Sequence, residues 1–225
     1  MDNLEETQPV INFTKLSDEI LLKIFDFLST YDILTRIALV CKQFYRLSKD
    51  ASLIKEVHLN YKSSGNYTFL CELLGQSKYL NTLSLRGRSG PTEQLVDVAM
   101  KSCPYLRNLE LKYCHLENEC LESIVEYGRD LQSLNLEGTL IGAKEEGYNE
   151  VHFKQSRELI QKLVSRLKKL RNLNIRECNW FYSRDLITLA RKCDKLESLN
   201  IEGTTNGRGS LQIRNTLQKV LFGVV

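Results

Sequence analysis

Five segments of this chain repeat one spacing, a leucine followed three and then two residues on by another leucine or an isoleucine. They are LNTLSLRGR from Leu80, LRNLELKYC from Leu106, LQSLNLEGT from Leu131, LRNLNIREC from Leu170 and LESLNIEGT from Leu196, with a weaker sixth copy, IKEVHLNYK, from Ile54. The steps between first positions are 26, 26, 25, 39 and 26 residues, so only the fourth breaks the period. The last two apolar positions of each copy alternate with polar residues, the two-residue period of a strand buried on one face. Between copies, apolar residues recur three or four apart: Leu95, Val98 and Ala99; Leu121, Ile124 and Val125; Leu159, Leu163, Val164 and Leu167; Leu186, Ile187, Leu189 and Ala190; Leu217, Val220 and Leu221. That is the spacing of one helix face. A strand-then-helix unit this short cannot bury its apolar side alone, so neighbours must stack. The expected class is α/β, a short solenoid over residues 54–225 with parallel strands on its concave face, helices on its convex face, and an insertion near 140–152.

The repeats resemble leucine-rich repeats of the cysteine-containing subtype. That resemblance implies that the position three after the last strand leucine points inward and caps the turn below. Here it holds Cys114 and Cys178, with Arg88, Thr139 and Thr204 in the same column. Cys103 and Cys193 fall where a helix ends and the chain turns back toward the next strand. A buried thiol packs as a small hydrophobe, and all four cysteines are read that way.

Residues 13–53 do not follow the repeat. Leu16, Ile20, Leu21, Ile24, Phe25 and Leu28 stand at helical spacing, with Ser17 as N-cap and Asp18 and Glu19 in the first turn. Ser29 followed by Asp32 then fits a capping box ahead of a second helical run through Leu34, Ile37 and Ala38 and on into Val40, Phe44 and Leu47. So many large apolar residues exceed what a block this small buries by itself, and some of that surface should meet a partner. The stretches LSDEILLKIFDFL and ALVCKQFYRL resemble an F-box, with Ser17 in place of the usual proline, Phe44 in place of a frequent tryptophan, and Leu53 where a second one often sits. Residues 1–12 read as a flexible tail, 13–53 as a three-helix F-box and 54–225 as the repeats, about six units.

Together the two parts resemble an F-box and leucine-rich-repeat protein, a family of substrate receptors of SCF-type cullin-RING ubiquitin ligases. The resemblance implies that the F-box docks the Skp adaptor, and through it a cullin and a RING subunit, while the repeats hold a protein to be ubiquitinated and degraded. The receptor itself catalyses nothing. The expected adaptor contacts are Leu16, Ser17, Ile20, Leu21, Ile24 and Leu28, with Val40, Cys41 and Phe44. Substrate contacts fall on the outward strand positions, where alternate residues form columns: Asn108 in the first; Glu110, Asn135, Asn174 and Asn200 in the second; Arg86, Lys112, Glu137, Arg176 and Glu202 in the third. A repeat scaffold acting outside any ligase is the competing reading.

Charge and cysteine usage bound the rest. With 31 basic and 28 acidic residues the net charge is only +3, which argues against nucleic acid or a membrane surface as partner. Apolar stretches fall far short of a membrane span, and the acidic N-terminus does not read as a signal peptide, so cytosol or nucleus is expected. Seven cysteines, an odd number, fit a reducing compartment. No C-x-x-C pair seeds a zinc site, and no cofactor is expected. His115, Glu117 and His152 include the ligand types of an iron centre, but His115 follows an inward cysteine at a repeat turn. GTLIGAKEEGYNEVHF in the long step reads as a surface excursion, RLKKLR at 166–171 as a basic helix end, and Trp180 with Phe181 as core cover.

Overall fold

The computed structural model describes residues 13–60, 67–87, 92–141 and 150–204. The expectations for the tail at 1–12, for Arg88, for most of the insertion and for the run at Leu217–Leu221 lie outside these residues. The chain divides into two compact units, Met1–Ile54 and Lys55–Val225.

The first unit is helical. After a 3-10 turn at Phe13–Lys15 come α1 (Asp18–Phe25), α2 (Thr30–Thr35) and α3 (Lys42–Leu47), with further 3-10 turns at Ile37–Leu39 and Ala51–Leu53. Ser17 occupies the N-cap position of α1 with extended backbone, but its hydroxyl makes no capping bond. Ser29 does cap α2, accepting from Asp32 N–H at 3.1 Å while its own hydroxyl donates to the Asp32 carboxylate at 2.7 Å. The apolar run from Leu34 to Leu47 is divided between α2, the 3-10 turn and α3, which with α1 makes three short α-helices in this unit. The break falls at Arg36, whose φ of −120° and ψ of −56° leave the helical region. Leu21, Phe25, Ile33, Phe44, Leu47 and Leu53 form the core, with the Phe25 and Phe44 rings edge to face at 5.0 Å. Asp18 ties α1 to α3 by accepting from Gln43 at 3.0 Å and Arg46 at 2.5 Å.

The second unit is built on a parallel sheet of six strands in sequence order: β1 (Glu56–Asn60), β2 (Thr82–Arg86), β3 (Asn108–Glu110), β5 (Ser133–Asn135), β7 (Asn172–Asn174) and β8 (Ser198–Asn200). Each strand pairs with the next copy of its own template, Leu83 opposite Leu109, Leu109 opposite Leu134, Leu134 opposite Leu173 and Leu173 opposite Leu199. Register is therefore the repeat itself, because a slip by one residue would turn every buried leucine outward. A two-stranded ladder of β4 (His115–Leu116) with β6 (Leu140–Ile141), which the periodicity does not announce, runs beside it.

The helices are α4 (Tyr67–Gln76), α5 (Thr92–Ser102), α6 (Asn118–Tyr127), α7 (Glu150–Arg166) and α8 (Ser183–Lys192). Their apolar faces bury Leu70 and Leu74, Leu95 and Ala99, Leu121 and Ile124, Leu159 and Leu163, and Leu186 and Leu189. Helix α4 was not among the expected ones, since its apolar residues are spread around it and only Leu70 and Leu74 are buried. Each fully buried leucine contributes about 1.5–3 kcal/mol, so the repeated columns dominate the stability of this unit. No helix among the described residues is long and apolar enough to cross a membrane.

Candidate functional site

In the second unit the strands lead into a stack of turns whose geometry repeats. Two residues beyond the last strand leucine stand Gly87, Tyr113, Gly138, Glu177 and Gly203, all with positive φ, from 54° to 72°. The chain here must enter the left-handed region, which glycine does freely and other residues at a penalty of about 1–2 kcal/mol. The backbone ladder continues through these turns: Tyr113 N–H donates to Glu137 O, Gly138 N–H to Arg176 O and Glu177 N–H to Glu202 O, each at 2.8 Å. One residue further on, Cys114 and Cys178 are fully buried, and their thiols donate to the Leu85 and Leu136 carbonyls of the preceding copy at 3.1 and 2.8 Å. Thr139 and Thr204 close their own turns instead, donating to Leu136 O and Ile201 O.

The outward columns are busier than a solvated ladder. Asn135, Asn174 and Asn200 each turn their side-chain oxygen onto the N–H two residues ahead, in Glu137, Arg176 and Glu202, at 3.0–3.1 Å. Asparagine suits this turn because its short amide mimics a backbone carbonyl. Asn108 donates to Asn81 and Thr82, and Glu110 accepts from Ser84 at 2.9 Å. Glu137, expected on the open surface, is only 9% exposed. It is gripped by Lys112 at 3.0 Å, the Tyr113 hydroxyl at 3.0 Å and the Asn174 amide at 3.0 Å. The bond from Lys112, with help from Tyr113 and Asn174, holds its carboxyl below the usual range. Arg176 stands between Glu177 and Glu202 at 3.3 and 3.4 Å. Of the expected contacts, Arg86, Asn200 and Glu202 are exposed, and Glu110, Lys112 and Arg176 half-buried. Tyr113, 45% exposed, and Glu177 belong to the same rim and were missed. The signal for them was present, since Gly87, Gly138 and Gly203 mark the column at one template position.

In the first unit the nine expected contacts separate by burial. Leu21 and Phe44 are core residues and are withdrawn as surface contacts, because each is enclosed by the other core side chains. Leu16, Ile24 and Cys41 are partly buried against that core. Ser17, Ile20, Leu28 and Val40 are exposed. The largest exposed apolar groups are ones the reading passed over: Phe27, 90% exposed at the exit of α1, and Leu39, 79% exposed in the 3-10 turn beside Val40, with Tyr31 on α2. Each of these side chains leaves its apolar area in water.

Among the described residues no group of three His, Cys, Asp or Glu side chains could hold a metal ion. His115 lies in the β4 ladder, and the side chain of His152 is outside the described set. Phe181 is buried, and the Trp180 indole donates to Thr139 O at 2.9 Å.

Residues 16–60 match a family model described as F-box-like. Among solved structures, the tropomodulin C-terminal domain of Caenorhabditis elegans covers 86% of this chain and 91% of its own at 11% identity and a TM-score of 0.43. Leiomodin-1 actin-binding site 2 covers 79% and 92% at 13% identity and a TM-score of 0.44. Likenesses this distant say nothing about activity.

Proposed function

We propose that this protein is the substrate-recognition subunit of an SCF-type E3 ubiquitin ligase, non-catalytic in itself, acting in the cytosol or nucleus. The observation that carries the reading is the F-box-like segment at 16–60 together with the exposed apolar side chains its short helices carry. An F-box docks a Skp adaptor, which brings a cullin and a RING subunit. Phe27, Leu28, Leu39 and Val40, with Ile20 on α1, are the groups with apolar surface to bury in that contact. The parallel-stranded unit is then read as a leucine-rich-repeat solenoid, and its polar turn rim as the surface that holds the target protein. On that rim Arg86, Glu110, Tyr113, Glu177 and Glu202 offer the side chains, while the asparagine oxygens and Glu137 are occupied in holding the turns. The free cysteines, all seven of them, suit a reducing compartment. The test is co-expression with a Skp adaptor followed by size-exclusion chromatography. A stoichiometric complex supports the reading, and separate elution of two folded proteins ends it.

A further inference from the structure

The helix-to-strand turns of the second unit form the edge opposite the turn rim, at the other end of the strands. They are one continuous surface, because each turn donates its entry N–H groups to a carbonyl of the turn before it, from Asn81 O through Arg107 O and Gln132 O to Arg171 O, at 2.8–3.0 Å. The last turn of each helix with the residues up to the next strand makes five stretches, 73–81, 99–107, 124–132, 163–171 and 189–197, which hold eleven basic and four acidic side chains. Of the chain's 31 basic and 28 acidic residues, that leaves 20 and 24 elsewhere, so the net charge of +3 conceals a basic edge. The helix dipole favours a cation in the last turn, but α4 and α6 have none there, and seven of the eleven lie past a helix end.

The excess is greatest where α7 and α8 end side by side, the Cys193 thiol at the close of α8 donating to Val164 O and Leu167 O at 3.6 and 3.4 Å. RLKKLR at 166–171 is only half of this patch, and the end of α8 supplies the rest. Lys169 and Arg171 already hold the carboxylates of Asp130 and Glu197. Arg166, Lys168, Arg191, Lys192 and Lys195 are exposed, and among the described residues none of the five forms an ion pair. We propose that this patch binds an acidic segment of a partner protein, at a site separate from the rim. Asp194 and Glu197 lie exposed among the cations, so a phosphodiester chain, anionic at every unit, would set some phosphates against them. A polypeptide can place carboxylates opposite the cations and hydroxyls or amides opposite the two acids. Bases would also need aromatic faces, and the exposed tyrosines of this edge, Tyr79 and Tyr105, stack on each other with centroids 6.0 Å apart in the turns before β2 and β3.

The experiment titrates the full chain into a fluorescein-labelled peptide of alternating glutamate and serine and, separately, into a labelled single-stranded RNA of equal charge, with anisotropy as the readout. The peptide should bind more tightly than the RNA, and added salt should weaken it. Lys168→Glu with Lys192→Glu should lower peptide affinity by about tenfold or more. Lys154→Glu with Arg184→Glu, an equal change of charge near the starts of the same two helices, should leave it as in the parent chain. Lys168→Gln with Lys192→Gln, which adds no repulsion, should give an intermediate loss, with circular dichroism unchanged in all three variants. No binding of the peptide, RNA bound as tightly as the peptide, or equal losses from the two glutamate pairs overturns the proposal.

Discussion

The phenol ring of Tyr113 lies so close over Gly138 that a Cβ on the glycine would stand 2.3 Å from its Cδ1. Both residues are in the left-handed region, at φ 54° and 62°, and the Tyr113 hydroxyl reaches past the glycine to Glu137. One turn therefore supplies the side chain that covers the next. Gly138→Ala should lower stability by about 2–3 kcal/mol, roughly 1 for the backbone region and the remainder for the displaced ring. Made in a Tyr113→Gly background, the same change should lose the steric part and show a coupling above about 1 kcal/mol in urea unfolding. Strict additivity would mean that the ring yields without resistance.

A second anchor joins α7 to the first turn of α8 and to the turn before it. The Arg157 guanidinium donates to both Asp185 oxygens at 2.8 and 2.9 Å and to Trp180 O at 3.0 Å, and Asp185 also accepts from Tyr182 N–H and Gln161. Both charges are buried, at 8% and 0% side-chain exposure. Removing one partner strands the other, so Asp185→Ala should destabilise this unit by about 3–5 kcal/mol. Trp180 is the sole tryptophan and sits in the same cluster, so its fluorescence during urea unfolding reads the effect. A loss below about 1 kcal/mol would show that water reaches Arg157 and replaces the carboxylate.

The cysteines should behave as packing groups. Burial pushes the thiols of Cys103, Cys178 and Cys193 up to about 11, and that of Cys120 up further. At pH 8 a thiol with a pKa of about 11 is ionised to about one part in a thousand, so brief alkylation of folded protein should modify half-buried Cys41 and Cys71 first. These raised thiols keep their protons in the folded state where the unfolded chain loses them, so their contribution is whole below about pH 9 and falls away between about pH 9 and 11. Folded protein that labels at Cys103 or Cys193 as fast as at Cys71 would contradict this packing.

Much of the sheet was legible because its determinants are local and repeated. Leucines at three and two apart select both the buried face and the pairing partner, so register and strand order follow from one pattern. Helix α4 escaped because its apolar content is spread around it, and β4 with β6 because two-residue strands leave no period. On the turn rim the limits are of another kind. The template spacing sets Glu137 and Asn174 in the polar columns, but does not show that they bond each other, since that bond joins residues 37 apart across the long step. Within the first unit, Leu21 and Ile20 are neighbours of equal hydrophobicity, and only helix packing decides that one is core and the other surface.

That separation sets the mutations that test adaptor docking. Phe27→Ala with Leu39→Ala removes side chains that touch mostly solvent, so the thermal midpoint of the chain should hold while binding to a Skp adaptor falls by more than tenfold, about 1.4 kcal/mol or more. Leu21→Ala should also abolish binding, but by a different route, because emptying a fully buried core site costs about 2–5 kcal/mol and unfolds a unit this small. Circular dichroism beside a titration of the adaptor distinguishes them. The surface pair should leave the helical signal intact, whereas Leu21→Ala should lose signal and binding together. Ile20→Asp supplies the control between the two, exposed on α1 itself and expected to weaken docking without unfolding. If the Phe27 and Leu39 variant binds as tightly as the parent chain, these groups serve another contact.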